Sequence, residues 1–191
     1  FDSDRLNLCW QWNHNPIDDA WSLTERPGYL RLKTNKTDES IYTARNTITQ
    51  RMEGPQCSAS VAMDLKNMKE GDVAGFSAFN GDAAVMSVTM KDGKKYLTLT
   101  EESVELDRNS KAVLDVAKDT IKTIPLHKDR IWLRIDGDFR PGPTKDIAKM
   151  WYSLDGKTWD RIGNDFRMIF DGNKFFMGTK FAIFNYATEE A

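Results

Sequence analysis

The 191-residue sequence is poor in the residues on which many enzymes depend. It contains two cysteines and two histidines. Neither cysteine lies in a CxxC, and neither His14 nor His127 has a Cys or His at metal-ligand spacing, which argues against a zinc site. P-loop, GxGxxG, GxSxG and HExxH motifs are also absent, so the sequence offers no nucleotide-binding loop, nucleophile elbow or zincin helix.

The sequence also lacks a strong excess of one charge and any long apolar run. Its formal net charge is -2, which gives no broad attraction to nucleic acid or to an anionic membrane. No segment approaches the roughly 20 apolar residues of a membrane span. We therefore predict neither a nucleic-acid partner nor a membrane.

Cys9 and Cys57 leave two alternatives open. They could form one disulfide in an oxidising compartment, or both could be free, buried thiols. The chain begins at Phe1 without an initiator Met and without an apolar signal core. We therefore expect a piece of a longer or processed protein, with any signal peptide out of view.

What the sequence does contain is a succession of short strand patterns separated by turn residues. Val73–Phe79 and Ala83–Thr89 flank an Asn-Gly-Asp turn, which predicts a hairpin, and Ile131–Asp136 alternates cleanly. Lys111–Lys118 could be a helix or a strand with a loop. About ten to twelve strands in a chain of this length predict one all-β domain over residues 1–191, a sandwich or a barrel.

Aromatic residues are plentiful, with six Trp and ten Phe. Sugar-binding surfaces use flat aromatic rings, but the cores of β-sandwiches use them as well, so composition leaves both roles open. The Ser153–Trp159 segment carries an Asp-Gly turn, and we interpret it as a structural hairpin with Trp159 packed back on its strand.

Polar and aromatic residues are dense in the segment WQWNHNP. In a strand, Trp12 and His14 share one face, and Asn13 and Asn15 share the other. The amides and the imidazole could bind sugar hydroxyls or a partner domain. Alternatively they fix a loop at the end of a strand. The first Trp of the segment is predicted to lie in the core.

The segment Trp21–Leu32 reads as a strand, a turn and a strand. Its Pro-Gly pair fits the middle of a type II turn. Arg26 could bind sugar oxygens or form a salt bridge with a carboxylate. Trp21 and Tyr29 would support sugar stacking if they were exposed on a concave sheet.

Alternation in Ala44–Arg51 places two arginines, Arg45 and Arg51, and two threonines, Thr47 and Thr49, on one face of a strand. Such a row could be an exposed edge face, or it could line a groove.

Together these segments resemble a known family. WQWNHNP, WSLTERPGYLRL, ARNTITQR and GDVAGFSAFN, in this order, resemble the C-terminal concanavalin A-like domain of glycoside hydrolase family 43, which contains β-xylosidases and α-L-arabinofuranosidases. The resemblance covers nearly the whole chain. It implies a jelly-roll sandwich of two antiparallel sheets.

The resemblance also implies a partner in the same polypeptide. A catalytic five-bladed propeller would precede this domain and carry three acidic residues, so none of the catalytic residues would lie in this chain. In some relatives a loop of the sandwich reaches the rim of the active site. By motif position that loop enters ARNTITQR, which makes Ile41, Tyr42 and Arg45 the candidates here. For such a polysaccharide-degrading enzyme we expect a periplasmic or extracellular location.

Three functional hypotheses follow. The first is a non-catalytic accessory domain of a xylan- or arabinoxylan-degrading enzyme, acting on plant polysaccharide or oligosaccharide. The second is a binding module that grips xylan on its concave face. The third is a free-standing sandwich enzyme, which requires His14 beside an acid to converge with Tyr42. We predict no cofactor, although Asp2 and Asp4 could ligate a structural calcium ion if they are not simply solvated.

Overall fold

The computed structural model describes residues 1–34, 36–143 and 146–189, which form strands almost throughout. The only helical element in these residues is a 3-10 turn, Asp18–Ala20, and no described helix has the length and apolar character needed to cross a membrane. The strands, in chain order, are β1 Gln11–Trp12, β2 Trp21–Ser22, β3 Arg31–Leu32, β4 Asn46–Arg51, β5 Gln56–Asp64, β6 Asp72–Phe79, β7 Asp82–Lys91, β8 Lys94–Leu106, β9 Val113–Leu126, β10 Arg130–Asp138, β11 Ile147–Ser153, β12 Asp160–Arg161, β13 Phe166–Arg167 and β14 Lys180–Ala187.

The strands assemble into two packed antiparallel sheets, which confirms the predicted sandwich. The larger sheet has seven strands in the order β1-β4-β14-β6-β7-β8-β9. The smaller sheet has the order β12-β11-β10-β5, with β13 paired to β11. A separate pair, β2 and β3, forms a short hairpin.

The main core lies between the two sheets and follows from strand alternation. On β10, Ile131, Leu133 and Ile135 are completely buried, while the residues between them are partly exposed. They pack against the inner face of the larger sheet, where Phe76 and Met86 belong to the same cluster. Period-two alternation thus places one face of each strand in the core.

A second apolar cluster covers part of the outer face of the larger sheet, the face turned away from the smaller sheet. Residues 38–44 run across this face and bury Ile41, Tyr42 and Ala44 against Val85 and Phe184 of the sheet. The central strands are therefore buried on both faces, which is why their sequences read as apolar runs rather than alternating ones.

The ambiguous segment Lys111–Lys118 belongs to a turn and a strand. Lys111 has a φ of 59° in the turn, and β9 begins at Val113 and pairs with β8 along its length. Pairing with β8 overrides the helical pattern. β9 follows β8 directly in the chain and forms the outermost strand of the larger sheet beside it.

The hairpin turn of Ser153–Trp159 requires glycine at Gly156. Its φ is 74°, and a Cβ atom there would lie 2.9 Å from the indole ring of Trp132. Only glycine combines this backbone conformation with so close an approach. The predicted structural role of the hairpin is therefore supported.

The cysteines are free thiols in this structure. Cys9 is exposed and Cys57 is half-buried. Burial raises the pKa of the Cys57 thiol. Of the two alternatives that the sequence left open, the disulfide is not formed, and only one of the two thiols is sheltered.

Candidate functional site

His14 fixes a loop. Its Nε2 atom lies 2.7 Å from the carbonyl oxygen of Tyr42. Because a carbonyl can only accept, Nε2 carries the proton and donates it. Asn13 lies beside the ring, with its Nδ2 atom 3.3 Å from Nε2. The contact joins β1 to the segment 38–44, which supports the structural interpretation of His14.

The neighbouring residues of this segment are also engaged within the domain. The carbonyl of Asn15 accepts a hydrogen bond from Arg45 at 3.2 Å, and both side chains are exposed. Trp12 packs against Trp21, with ring centroids 5.3 Å apart. Trp10 is half-buried and stacks on Phe1 rather than entering the core.

Arg26 forms the salt bridge that was one of its two predicted roles. Its guanidinium lies 2.5 Å from an oxygen of Asp64 and 3.8 Å from the ring centroid of Tyr29. The hydrogen bond from Arg26 lowers the pKa of the Asp64 carboxyl. Arg130 donates to the Tyr29 hydroxyl at 2.7 Å. One face of the Tyr29 ring is therefore covered by an arginine.

Ile41 and Tyr42 lie in the core, each with 1% of its surface exposed. The Tyr42 hydroxyl donates towards the carbonyls of Asn80 and Gly81, at 2.9 and 3.1 Å. Burial raises the pKa of this hydroxyl above its ordinary range. Neither side chain offers a surface to a neighbouring domain, because the segment 38–44 folds back onto the larger sheet. Of the three rim candidates, only Arg45 is exposed.

The row of arginines and threonines on β4 is neither an open edge nor a groove. Thr47 and Thr49 are buried, since β1 and the segment 38–44 cover them. Thr47 donates to the carbonyls of Ile41 and Ala44, and Thr49 donates to that of Gln11. Arg51, at the end of the strand, is exposed.

The described part of the chain contains no cluster of ligands that would support the expected calcium site. Asp2 and Asp4 are both exposed, and the Ser3 hydroxyl donates to Asp4 at 3.5 Å. No group of three or more His, Cys, Asp or Glu residues stands at metal-binding distance within the described ranges. A calcium ion held by these two acids remains a prediction.

The constellation required of a free-standing enzyme is not assembled. His14 contacts the backbone of Tyr42, whereas the Tyr42 hydroxyl is directed at two carbonyl groups. Glu102 is the one buried acid among the described residues, with 5% of its surface exposed. A retaining or inverting glycosidase requires two carboxyl groups facing one substrate, so a single buried acid does not form such a site.

One end of the sandwich carries large apolar side chains that the sequence reasoning did not single out. Phe176 is 91% exposed and Phe170 is 59% exposed, with Ile169 and Leu8 also exposed. The two phenylalanines pack edge to face, with centroids 5.8 Å apart. The available signal was a phenylalanine-rich stretch, IFDGNKFFMG, without strand alternation and broken by glycine.

These side chains share an end of the larger sheet because of strand register. β1 begins with Gln11 opposite Thr49, and β14 begins with Lys180 opposite Arg51. The residues that precede β1 and those that precede β14 therefore emerge from the same end of β4. We call this region, comprising Leu8, Ile169, Phe170 and Phe176, the Phe176 end.

Comparison with known proteins gives a family match over the whole chain and relatives among β-xylosidases. Residues 1–191 match the family described as the β-xylosidase C-terminal concanavalin A-like domain. The chain is 28% identical over 212 residues to a β-xylosidase of Formosa agariphila, covering 100% of this chain and 32% of the relative.

Two solved structures are similar over almost the whole chain. A bifunctional GH43-CE protein of Bacteroides eggerthii is 40% identical, with a TM-score of 0.83, over 97% of this chain and 22% of its own. An engineered GH43 glycoside hydrolase with endo-xylanase and exo-arabinofuranosidase activity is 29% identical, with a TM-score of 0.88, over 100% of this chain and 37% of its own. The chain thus spans well under half of each relative. It belongs to the family of C-terminal concanavalin A-like domains of glycoside hydrolase family 43.

Proposed function

We propose that this domain is a non-catalytic accessory domain of a xylan- or arabinoxylan-degrading enzyme and packs on the catalytic domain of the same polypeptide through the Phe176 end. The observation that carries the proposal is the 91% exposure of Phe176 beside a second exposed phenylalanine. Exposed apolar patches of this kind mark interaction surfaces on soluble proteins.

The position of the patch supports the catalytic domain as its occupant. The family is that of a C-terminal domain, so a catalytic domain would join this chain ahead of Phe1. Leu8, which is 98% exposed, lies in that leading segment, and the segment arrives at the same end of β4 as the loop that carries Phe170 and Phe176. A domain joined to the chain at this end would lie next to the patch.

The same contact supports a role in shaping the catalytic pocket. A loop that carries two exposed aromatic side chains can bury them against a neighbouring domain and place one of them at the rim of a cleft. Burying each phenylalanine would contribute about 1.5–3 kcal/mol to the domain contact. The predicted rim residues Ile41 and Tyr42 cannot do this, since they are enclosed.

A double substitution in the full-length polypeptide tests the proposal. Phe170→Ser with Phe176→Ser should separate one cooperative unfolding transition into two and should raise KM for an aryl xyloside or an aryl arabinofuranoside. Leu154→Ser is the matched control, because Leu154 is also an exposed apolar residue, at 44%, but lies in the turn that follows β11. Unchanged unfolding and unchanged KM in the double variant would refute the contact.

The rival hypothesis of a xylan-binding face is weakened by the contacts of its aromatic residues. Trp12 and Trp21 pack on each other, and Arg26 covers Tyr29. None of the three lies in the long strands of the larger sheet. All three rings are partly exposed, so the binding-module hypothesis stays a prediction, with less support than the domain contact.

A further inference from the structure

The loop that carries Phe176 connects β13 to β14 over residues 168–179 and contains no strand of its own. A connection of this length without secondary structure is uncommon in a compact domain, and such loops usually have a function. Adjacent residues of the loop have opposite environments, because Phe175 packs against the outer apolar cluster whereas Phe176 is 91% exposed. The loop is therefore attached to the domain directly beside its most exposed side chain.

The polar attachment points lie on the turn 80–82, the Asn-Gly-Asp turn between β6 and β7. Asn80 is buried, and its Nδ2 atom donates to the carbonyl of Met177 at 3.1 Å. Asp82 Oδ1 lies 2.6 Å from Nζ of Lys174. These partners are 97 and 92 positions further along the chain. Closing a hairpin does not require contacts to so remote a loop, so they are an additional property of this turn.

Lys174 completes a small hydrogen-bond network with two side chains of the larger sheet. Its ammonium group donates to Asp82 and also to Ser103 Oγ, at 2.7 Å. The Ser103 hydroxyl in turn donates to the same oxygen of Asp82 at 2.6 Å. The side chains of Lys174 and Asp82 are only 23% and 27% exposed. Partial burial and a shared third partner make this contact more specific than an isolated surface ion pair.

Gly81 leaves room for the aliphatic stem of Lys174. A Cβ atom at position 81 would lie 2.7 Å from both Cβ and Cδ of the lysine. Only glycine permits so close an approach. Each of the three residues in the turn 80–82 therefore accommodates the loop, the first and third by hydrogen bonds and the second by its lack of a side chain.

Phe175 attaches the loop from its apolar side. Its ring lies 6.1 Å from the centroid of Tyr42, at an interplanar angle of 20°, and 6.2 Å from that of Phe79. Lys174 and Phe175 thus both contact the body of the domain, and the next residue, Phe176, extends away from it. Two anchors on adjacent residues, one polar and one apolar, restrict the rotation of the loop more than either would alone.

We propose that Lys174 is a positioning residue for the domain contact: held by the turn 80–82, it fixes the loop so that Phe176 meets the catalytic domain in one orientation. This inference rests on the proposed function, because it assumes that the Phe176 end packs on that domain. A loop that is ordered before the domains meet loses less conformational entropy on contact. The polar network would then strengthen the contact without touching the partner.

Lys174→Met in the full-length polypeptide tests the proposal, since it removes the ammonium group and keeps an unbranched stem over Gly81. Hydrogen exchange of the peptide that covers residues 168–179 should become about tenfold faster, because local opening becomes easier. KM for an aryl xyloside or an aryl arabinofuranoside should rise about threefold with kcat unchanged. Asp82→Asn weakens the same contact from the other side and should shift both quantities in the same direction.

Lys95→Met is the matched control. Lys95 also forms a partly buried ion pair, with Asp129, but it lies near the other end of β8 from Ser103. This variant should leave KM and the exchange of residues 168–179 as they are in the wild type. A thermal melt of each variant checks that the domain is folded.

A combined variant separates positioning from a general loss of stability. In the Phe170→Ser, Phe176→Ser background, Lys174→Met should cause no further rise in KM, because no ring remains to be positioned. Independent effects would instead add. An additive rise would therefore overturn the positioning role, and so would unchanged exchange or unchanged KM in Lys174→Met alone.

The same measurements distinguish this inference from the proposed function on which it rests. If the Phe170→Ser, Phe176→Ser variant raises KM and Lys174→Met does not, the domain contact stands and only the positioning role fails. If neither variant raises KM, both fail.

Discussion

The two outer faces of the sandwich use aromatic and polar residues in opposite ways. On the smaller sheet, Arg134 lies between two tryptophan rings, 5.0 Å from the centroid of Trp151 and 4.8 Å from that of Trp159. Arg161 lies 5.0 Å from the Trp151 centroid and pairs with Asp165 at 2.8 Å. The rings are partly exposed, and each has an arginine beside it.

On the larger sheet, by contrast, the long strands carry no tryptophan among the described residues. Half of it is covered by residues 38–44 with Tyr42 and Phe184. The other part carries the paired hydroxyls of Thr98 and Thr123, 3.3 Å apart, and leads to Glu102, one oxygen of which has no partner among the described residues. The number of aromatic residues therefore does not by itself indicate a sugar-binding surface, because a ring with an arginine on one face has less surface left for stacking.

The largest expected effect tests whether the covered half of the larger sheet is genuine core. Phe184 is 1% exposed in the outer cluster, so Phe184→Ala should cost about 3–5 kcal/mol of the free energy of unfolding. Urea denaturation measures the loss, with Phe76→Ala of the inner core as the reference. A loss below about 1 kcal/mol would mean that the segment 38–44 does not cover this face in solution.

The next effect tests the stacked face of the smaller sheet. Trp151→Ala should destabilise the domain by about 2–3 kcal/mol, because it removes a half-buried ring and two cation–π contacts. Trp151→Phe retains a ring between the two arginines and should recover part of the loss. If both variants unfold at the same urea concentration as the wild type, the tryptophan–arginine stack is not structural.

A smaller effect distinguishes the faces by the pH dependence of stability. Burial raises the pKa of Glu102 in the folded state, so the carboxylate destabilises the fold as pH rises from its unfolded pKa towards its folded pKa. Above about pH 4.3, the unfolded value, the wild type should lose stability relative to Glu102→Gln. Parallel pH profiles of the two proteins would show that Glu102 is not desolvated.

The smallest expected effect is a pH dependence of stability that has the opposite sign to that of Glu102. It comes from Asp155, in the turn that follows β11 of the smaller sheet. Backbone N–H groups of Thr158 and Lys157 donate to Asp155, at 2.7 Å each, and they lower the pKa of its carboxyl. Its stabilisation is present above the unfolded pKa and is lost as pH falls towards the folded pKa. Asp155→Asn should therefore show a flatter acid limb than the wild type below about pH 5. An equally steep limb would exclude Asp155 as the source.

Much of the fold could be predicted because strand periodicity is a local property. Ile131–Asp136 alternates with period two and becomes β10, and the Asn-Gly-Asp turn joins β6 to β7 as expected. The segment Lys111–Lys118 could not be assigned, since its strand character depends on pairing with β8. A local sequence pattern does not show which strand a segment will pair with.

The candidate site could be predicted much less well. The sequence leaves two roles open for His14, and its contact with the Tyr42 carbonyl favours the loop-fixing one. Nothing near Ile41 and Tyr42 in the sequence signals that they are buried by residues remote in the chain. Phe176 and Glu102 were missed because each departs from the usual burial of its residue type. Phenylalanine is usually buried and glutamate is usually exposed, whereas in this fold Phe176 is exposed and Glu102 is buried.

The sequence by itself determined the all-β class, the family and the absence of the common catalytic motifs, because these depend on residue types and on spacing along the chain. Only the tertiary structure decided which aromatic rings are covered, which loop is exposed and which carboxylate is buried. Those properties arise where strands distant in sequence meet, since burial depends on what packs against a side chain and not on the side chain alone.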